Sequence, residues 1–326
     1  MPSGPPTPLQ PQSGRSHRHR FESPFWRKIL VGGVRHIPQS VQRATMPMWA
    51  GIFYALVPSA RRTVEANLTR VLGDASPLVS HVRSFRLFVN YAQSIANMYS
   101  AYLGHALPVD ATFEGREKLL AAMAQGRGAI VVTGHIGYWS IAPFVMERSG
   151  IAAPTMAMAE EPNAQLHEFE QRFRKKWKII YTTGSPFASL ELASVLRRGE
   201  MIGMQLDRFT GGSVVKLPFF GKEAAFPLGP ATLARATRAP LVPVFMVREG
   251  SKGFRARTED PIEVAHTRDR DRDLREATAR IVAVYESYVR RYPFQWFNFH
   301  DFWASPPAAA QPSPPVEDRA MGANGR

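Results

Sequence analysis

The stretch IVVTGHIGYWS at residues 130–140 places a histidine at the end of an apolar run. The first residues of the stretch are apolar and largely β-branched, which is typical of a strand buried in a sheet. His135 follows Thr133 and Gly134, and an apolar segment with a helical pattern comes next. A histidine at a strand-to-helix junction is held by rigid elements while its ring stays open to a ligand, which suits a general base. The pattern is equally compatible with a loop histidine that only caps or packs.

Around this stretch, strand and helix patterns alternate along the chain. Strands are predicted at residues 110–114, 129–132, 154–158, 179–181, 201–205 and 241–247. Helices are predicted at residues 115–124, 165–176, 186–197, 228–238 and in a segment ending near Tyr292. Such alternation favours an α/β fold with a mixed, largely parallel central sheet flanked by helices. Residues 61–104 carry apolar side chains at three- and four-residue steps, which predicts helices there.

The two ends of the chain differ in composition from the rest. Residues 1–24 and 305–326 are poor in large apolar side chains, so both are expected to be disordered. No apolar run follows the first basic residues, which argues against a secretory signal. The folded body is therefore predicted at residues 25–304, with a helical, membrane-contacting part at 25–104 and an α/β part at 105–304.

Composition restricts the chemistry and the partners. The chain of 326 residues has no cysteine, which excludes disulfides and thiolate ligands, and its histidines do not cluster, so no metal site is expected. Of the formal charge of +14, residues 1–24 carry +2 and residues 305–326 carry none, which leaves +12 on the folded body. A strongly basic body favours anionic partners: nucleic acid, an anionic membrane or an acidic carrier protein.

The segment MPMWAGIFYALV at residues 46–57 is the most apolar stretch near the N-terminus. Twelve residues are too few to cross a hydrocarbon core of about 30 Å. Basic residues stand on both sides, at Arg27 and Lys28 and again at Arg61 and Arg62. This pattern predicts an interfacial helix of a peripheral membrane protein, and a buried core helix is the alternative.

Residues 214–249 contain a Pro-Phe-Phe-Gly turn, a helix opened by Pro-Leu-Gly-Pro and an apolar strand flanked by prolines. Three phenylalanines in this block, Phe219, Phe220 and Phe226, are candidates for an apolar slot that holds an alkyl chain. Ordinary core packing is the alternative for each of them. The glycine and proline spacing indicates a defined loop geometry around Gly221.

Two charged stretches are further candidates. Residues 172–178 interleave basic side chains with Phe173 and Trp177, a pattern that fits nucleic acid, phosphate-bearing lipid or simply a solvated helix face. Asp207 and Arg208 follow a predicted strand, where an acid beside a base can orient an active-site group, and an ordinary surface pair is the alternative. Nucleic-acid binding rests only on the charge and on the run at residues 172–178, so no nucleic-acid partner is expected.

Taken together, these stretches resemble a known family. Its motifs occur here in order: RRTVEANLTRVLG at 61–73, GHIGYW, R-x-R at Arg172 and Arg174, D-R at Asp207 and Arg208, LPFFG with the following G-P-A-x-L-A and A-P-L-V-P-V-F, and YPFQWFNFH at 292–300. Over about residues 25–303 the chain is similar to the lipid A biosynthesis (lauroyl/myristoyl) acyltransferases of the lysophospholipid acyltransferase superfamily.

The resemblance implies transfer of an acyl group from an acyl carrier protein or CoA thioester to a lipid hydroxyl, at the cytoplasmic face of the inner membrane. No cofactor is implied beyond the thioester co-substrate. In the family, the histidine of an H-x4-D/E motif takes the proton of the acceptor hydroxyl, which assigns that role to His135. The residues implied in substrate binding are Arg172, Arg174 and Arg208 for phosphate groups, and Phe219, Phe220, Gly221 and Phe226 for the acyl chain.

The chain departs from the family motif at one position. Ser140 stands where the acid of H-x4-D/E is expected, and a serine supplies no charge to stabilise an imidazolium. Another acid, Asp207, Glu147 or Glu160, is one explanation, and an acceptor amine that needs less help is a second. The third is a weak or inactive lipid- or carrier-binding relative.

Overall fold

The computed structural model describes residues 24–105, 110–158, 164–173, 177–183, 185–208, 212–250 and 253–304. The two ends predicted to be disordered therefore lie outside the described residues, apart from residue 24.

Four helices form the N-terminal part, and the last two lie where the periodicity of residues 61–104 predicts helices. They are α1 (Pro24–His36), α2 (Gln39–Leu56), α3 (Pro58–Leu72) and α4 (Pro77–Tyr102). Helix α3 starts on a proline, whose missing N–H costs nothing in the first turn, and it ends at Gly73 with φ of 78°. Helix α2 extends seven residues upstream of the predicted apolar segment and contains Pro47. Within the described ranges, no helix is both long enough and apolar enough to cross a membrane.

A seven-stranded sheet forms the centre of the α/β part. The strands in chain order are β1 (Asp110–Glu114), β2 (Ala129–Thr133), β3 (Thr155–Met158), β4 (Ile179–Tyr181), β5 (Met201–Gln205), β6 (Val214–Phe219), β7 (Lys222–Pro227), β8 (Leu241–Glu249) and β9 (Gly253–Thr258). The sheet order is β1-β9-β8-β2-β5-β3-β4, and β6 pairs with β7 in a separate hairpin. All neighbours in the large sheet are parallel except β8 and β9, so the predicted α/β fold with a largely parallel sheet is confirmed.

Helices cover both faces of this sheet. They are α5 (Arg116–Ala124), α6 (Ala142–Arg148), α7 (Ala164–Phe173), α8 (Ala188–Arg197), α9 (Gly229–Thr237) and α10 (Arg270–Arg291). Strand β2 shows the layering through its alternating side chains. Ile130 and Val132 belong to the cluster built with α8, α9 and α10, whereas Ala129 and Val131 belong to the cluster built with α5 and α6. Because helices pack on both faces, β2 reads as a continuous apolar run.

The hairpin of β6 and β7 was not predicted as two strands, but its turn was. Phe220 and Gly221 connect the strands with φ of 49° and 74°. Two central residues with positive φ are the geometry of a two-residue hairpin turn that suits the strand twist. The backbone N–H of Phe220 donates to Oε2 of Glu286 at 3.1 Å, which fixes the turn on α10.

Candidate active site

The pairing of β2 with β5 brings His135 and Asp207 together. The two strands are parallel neighbours with Thr133 opposite Gln205, and each functional residue stands two positions beyond its strand. The backbone N–H of Leu206 donates to the carbonyl of Thr133 at 2.8 Å, which extends the pairing past the strand ends. Carboxyl ends of adjacent parallel strands share one edge of the sheet, where open α/β sheets bind their ligands.

His135 and Asp207 form a buried pair held by two hydrogen bonds. Nδ1 of His135 lies 2.8 Å from Oδ1 of Asp207, and the backbone N–H of His135 donates to Oδ2 at 2.7 Å. The side chains are 7% and 0% exposed. The carboxylate therefore fixes both the backbone and the ring of the histidine, which is how an acid orients a catalytic imidazole.

Two further donors converge on Oδ2 of the same carboxylate. The hydroxyl of Tyr285 on α10 donates at 2.5 Å, and Nδ2 of Asn298 donates at 3.2 Å. Nε1 of Trp296 in turn donates to the Tyr285 hydroxyl at 2.8 Å, which commits the hydroxyl proton to Asp207. Three N–H or O–H donors therefore reach Oδ2, from the His135 backbone, Tyr285 and Asn298, and such donors stabilise the ionised form of the carboxyl group.

The electrostatics of the pair favour a neutral histidine beside a charged acid. Burial lowers the pKa of His135 and so does the nearby guanidinium of Arg208, against an opposing effect of Asp207. Although burial alone would raise it, the pKa of Asp207 is held well below its ordinary value by the hydrogen bonds that it receives from the His135 ring, the His135 backbone and Tyr285. The ionised acid accepts the Nδ1 proton, so Nε2 carries the lone pair. Among the described residues Nε2 has no hydrogen-bond partner, and it is available as a base.

Glycines allow the backbone to pass through this crowded region. A Cβ on Gly134 would stand 2.4 Å from Cε2 of Tyr285, so any larger residue would push the tyrosine away from Asp207. Gly137 has φ of 61°, and a Cβ there would stand 2.1 Å from the carbonyl oxygen of Met246. Both glycines of the G-H-x-G pattern are thus explained by packing rather than by contact with a ligand.

The phenylalanines of the LPFFG block occupy different places. Phe219 and Phe226 have no exposed surface, and Phe219 stacks on the ring of Tyr285 at 5.8 Å. Both residues are thus packed in the core, where they support Tyr285, as in the core-packing alternative considered for them. Phe220 lies at the hairpin turn, with the Arg290 guanidinium 4.8 Å from its ring centroid. Gly221 completes that turn, with no neighbour near the position of an added Cβ.

The side chain at the position of the expected acid makes no hydrogen bond to the pair within the described residues. Ser140 is in a short 3-10 helix at Trp139–Ile141, and its buried Oγ makes no hydrogen bond within the described residues. Glu147 is exposed on α6, and Glu160 lies outside the described residues. Of the two substitute acids that the structure describes, Asp207 is the one that contacts His135.

The predicted cationic residues are only partly described. Arg208 is exposed at the edge of the site and lowers the pKa of His135 and of His300, which reflects its closeness to both. Arg172 lies on α7 and is 68% exposed, with its guanidinium 2.7 Å from Glu168 one turn earlier. Such an exposed pair is a weak interaction, so the Arg172 side chain can exchange partners at little cost. Arg174 lies outside the described residues.

The sequence did not single out Tyr285 or Asn298. Tyr285 stands among other apolar residues of α10, and its role becomes visible only once β5 and α10 are packed together. Asn298 belongs to the aromatic closing motif at residues 292–300, where a lone amide among aromatic side chains was a usable signal. An asparagine predicted to be buried needs hydrogen-bond partners.

Comparison with known proteins identifies the family of this chain. Residues 15–305 match the model of the bacterial lipid A biosynthesis acyltransferase family. The match covers most of the chain, so the protein belongs to this family, and it is an acyltransferase of lipid biosynthesis with a lipid or glycolipid acceptor. The resemblance inferred from the motifs is thereby confirmed.

Two relatives carry the same name. The phosphatidylinositol mannoside acyltransferase of Mycolicibacterium smegmatis is 25% identical over 278 residues, which are 83% of this chain and 88% of the relative. That of Mycobacterium tuberculosis strain H37Rv is 24% identical over 279 residues, covering 83% and 85%. Among solved structures, the 1-acyl-sn-glycerophosphate (LPA) acyltransferase PlsC from Thermotoga maritima is 14% identical and covers 77% of this chain and 98% of its own, with a TM-score of 0.37.

Proposed function

We propose that the protein transfers a fatty acyl group from an acyl-carrier-protein or CoA thioester to a hydroxyl of a lipid or glycolipid acceptor, with His135 as the general base. The observation that carries the proposal is the buried His135–Asp207 pair, with Nε2 of the histidine unpaired among the described residues. A lipid hydroxyl is a poor nucleophile until a base takes its proton, and this pair supplies that base.

The reaction proceeds by addition and elimination. Nε2 of His135 takes the acceptor proton as the acceptor oxygen bonds to the thioester carbonyl carbon, which gives a tetrahedral oxyanion. Collapse of this intermediate breaks the carbon–sulfur bond and forms the ester. The imidazolium then returns its proton to the departing sulfur, so acid and base roles are completed on one ring. Asp207 stays ionised throughout and stabilises the imidazolium, as the acid does in hydrolytic triads.

This role of Asp207 accounts for a serine at position 140. The charge that an H-x4-D/E acid would provide is already present 2.8 Å from Nδ1. Ser140 therefore gives no reason to prefer an amine acceptor over a hydroxyl that His135 deprotonates, although an amine is chemically accessible to the same base. The hypothesis of an inactive lipid-binding relative rested on the missing acid at position 140, and the contact of His135 with Asp207 removes that reason.

A phosphate-bearing glycolipid is the acceptor that we infer. Two relatives are named phosphatidylinositol mannoside acyltransferases, and the exposed guanidinium of Arg208 lies at the edge of the site. An arginine binds phosphate with its planar fork of donors. Arg172, and Arg174 beside the described part of α7, are proposed as further contacts to the phosphate of the acceptor or of the phosphopantetheine.

We also propose peripheral association with the cytoplasmic face of an anionic inner membrane. The support is an exposed apolar face on α2 and the start of α4. Its members include Trp49 (48% exposed), Ile52 (43%), Leu56 (52%) and Leu78 (72%). Large apolar side chains exposed in one region of a protein surface mark an interaction site. The positive formal charge of the body favours an anionic membrane as the partner of that site. A buried core helix at residues 46–57 does not fit this exposure. The same charge supports an acidic acyl carrier protein as the donor's carrier.

The base is tested by acyl transfer with the full-length protein. Acyl-carrier and acyl-CoA thioesters are offered with phospholipid and glycolipid acceptors, and release of free thiol is followed with mass analysis of the acceptor. His135→Gln is expected to lose transfer, while His266→Gln, at an exposed histidine, keeps it. Equal rates in wild type and His135→Gln would refute the assignment of the base.

Membrane association is tested separately by flotation with vesicles that contain anionic lipid. Trp49→Glu and Ile52→Glu together are expected to leave the protein unbound. Phe187→Glu and Leu190→Glu introduce the same charges at two exposed apolar residues of the region around α8, and binding should persist. Equal loss in both pairs would argue against a defined membrane-contacting face.

A further inference from the structure

The structure joins the two motifs near the ends of the folded chain through one buried side chain. Asn67, in the motif at residues 61–73, is 3% exposed on α3. Its Nδ2 donates to the carbonyls of Asn298 and His300, at 3.1 Å and 2.9 Å, and its Oδ1 accepts from the backbone N–H of Phe302 at 3.4 Å. One amide thus binds three backbone groups of the motif at residues 292–300 and its continuation.

Residues 295–302, here called the closing segment, also hold the active site. The backbone N–H of Phe297 donates to the carbonyl of His135 at 2.7 Å. Nδ2 of Asn298 reaches Asp207 at 3.2 Å. The carbonyl of Gln295 accepts from the backbone N–H of Gly137 at 2.7 Å. Both members of the catalytic pair are therefore held by the segment that Asn67 binds.

The closing segment has little regular structure of its own to maintain this position. It begins at the last residue of a short 3-10 helix at Pro293–Gln295, and one isolated bridge joins Trp296 to Ile136. A buried backbone carbonyl without a partner is costly. The amide of Asn67 meets that need at the buried Asn298 and also binds the carbonyl of the exposed His300, because its nitrogen has two protons to donate. An apolar side chain of the same size would leave both carbonyls unpaired.

We propose that Asn67 is a positioning residue for the acyl transfer, acting through the closing segment on Asp207 and His135. The inference rests on the proposed function. Without Asn67, the Asn298 amide is no longer held against the carboxylate and the Phe297 N–H is no longer held against His135. The ring then samples orientations in which Nε2 is misplaced for proton transfer, and misplacements of about 1 Å cost on the order of 10²-fold in rate.

The first test separates catalysis from binding and from stability. Asn67→Ala and Asn67→Asp are compared with wild type at a temperature where each is folded by circular dichroism. The aspartate keeps the acceptor for Phe302 but turns a carboxylate toward two carbonyls. Both variants are expected to lower kcat about 10- to 100-fold while KM for the acceptor changes little. The matched control is Thr278→Ala, which removes a buried hydroxyl bonded within α10 to the carbonyl of Leu274 and should keep kcat.

The second test asks whether Asn67 acts through the closing segment. Asn298→Ala removes the amide that reaches Asp207, so the losses in kcat from Asn67→Ala and Asn298→Ala should fall short of additive in the double variant. Thr278→Ala combined with Asn298→Ala should behave additively. Additive losses of Asn67 and Asn298, or an unchanged kcat in both Asn67 variants, would overturn the proposal.

A third readout does not depend on turnover. The Nδ1 proton of His135, hydrogen-bonded to a carboxylate, is observed by NMR on the full chain and assigned by its loss in His135→Gln. Asn67→Ala should shift or broaden this signal, and Thr278→Ala should leave it in place. An unchanged signal in Asn67→Ala contradicts the positioning role. A changed signal in a protein whose wild type transfers no acyl group supports the positioning and refutes the proposed function.

Discussion

Replacing Asp207 by asparagine tests the origin of the catalytic charge with almost no change in shape. The carboxylate accepts three hydrogen bonds at Oδ2, from the His135 backbone, Tyr285 and Asn298, and one at Oδ1, from His135 Nδ1. An asparagine has one carbonyl oxygen and one NH2 group to place at these two positions. Three donors against one favour the carbonyl at the Oδ2 position, so the NH2 group faces the imidazole.

That orientation forces the wrong tautomer on the histidine. Facing an NH2 donor, Nδ1 of His135 must accept, and the proton moves to Nε2, which can no longer act as a base. In the serine-protease template, the equivalent loss lowers kcat about 10⁴-fold, which corresponds to about 5.4 kcal/mol in activation free energy. The loss of a charged acceptor should also lower the free energy of unfolding by about 1–3 kcal/mol.

The assay is acyl transfer by purified Asp207→Asn, with its melting temperature measured in parallel. A fall in kcat of about 10⁴-fold in a folded variant is expected. Ser140→Ala serves as the control at the position of the absent family acid. Retention of more than about a tenth of kcat by Asp207→Asn, with a large loss in Ser140→Ala, would refute the assignment of Asp207 as the orienting acid.

Three further outcomes follow from the contacts of the site. Arg208→Gln removes a positive charge that disfavours the imidazolium, so the pKa of His135 should rise. In the pH profile of kcat/KM, the acidic limb should then move to higher pH. Arg208→Lys keeps the charge and should leave the limb in place. Tyr285→Phe removes one donor to Asp207 and leaves Nε1 of Trp296 unpaired. The free energy of unfolding should fall by about 1–3 kcal/mol, which lowers the melting temperature, and kcat should fall as well. Ser140→Asp should give no gain in kcat, because the charge is already supplied from β5, and a large gain would indicate an incomplete site.

The fold was predictable where periodicity and burial coincide. The apolar run before His135, the helical steps of residues 61–104 and the Phe-Phe-Gly turn all form the predicted elements. The short strand β9 was missed because its arginines at 255 and 257 resemble an exposed loop. These side chains are paired with Glu114 on β1 and Glu249 on β8, the two strands beside β9, and this pairing depends on strand order rather than on local sequence.

The sequence predicted which residues are candidates for the site, but it did not predict which of them contact each other. His135 and Asp207 each follow a predicted strand, and a list of candidates could include both. The contact of Asp207 with His135 forms because β2 and β5 are neighbours in the sheet. A single sequence does not specify the order of strands, so it left three acids as candidates. Phe219 and Phe226 show a second reason why the sequence is not sufficient. Phenylalanines that line a slot and phenylalanines that fill a core have the same sequence pattern, and only the structure shows that these two are buried.

Sheet order also explains how the acid can stand at position 207 and still serve His135. In a parallel sheet, residues at equal distance past two paired strand ends face each other at the same edge.

Residue 140 is tied to the histidine through the intervening loop, whose Gly137 and 3-10 turn determine where its side chain points. Residue 207 is tied through the backbone pairing of β2 with β5 and through Tyr285 and the closing segment. A carboxylate held from three sides is better suited to keep the imidazole in one tautomer than a carboxylate on a single turn. The replacement of the family acid by Ser140 is therefore compatible with full catalysis, provided that Asp207 keeps the four donors that now converge on it.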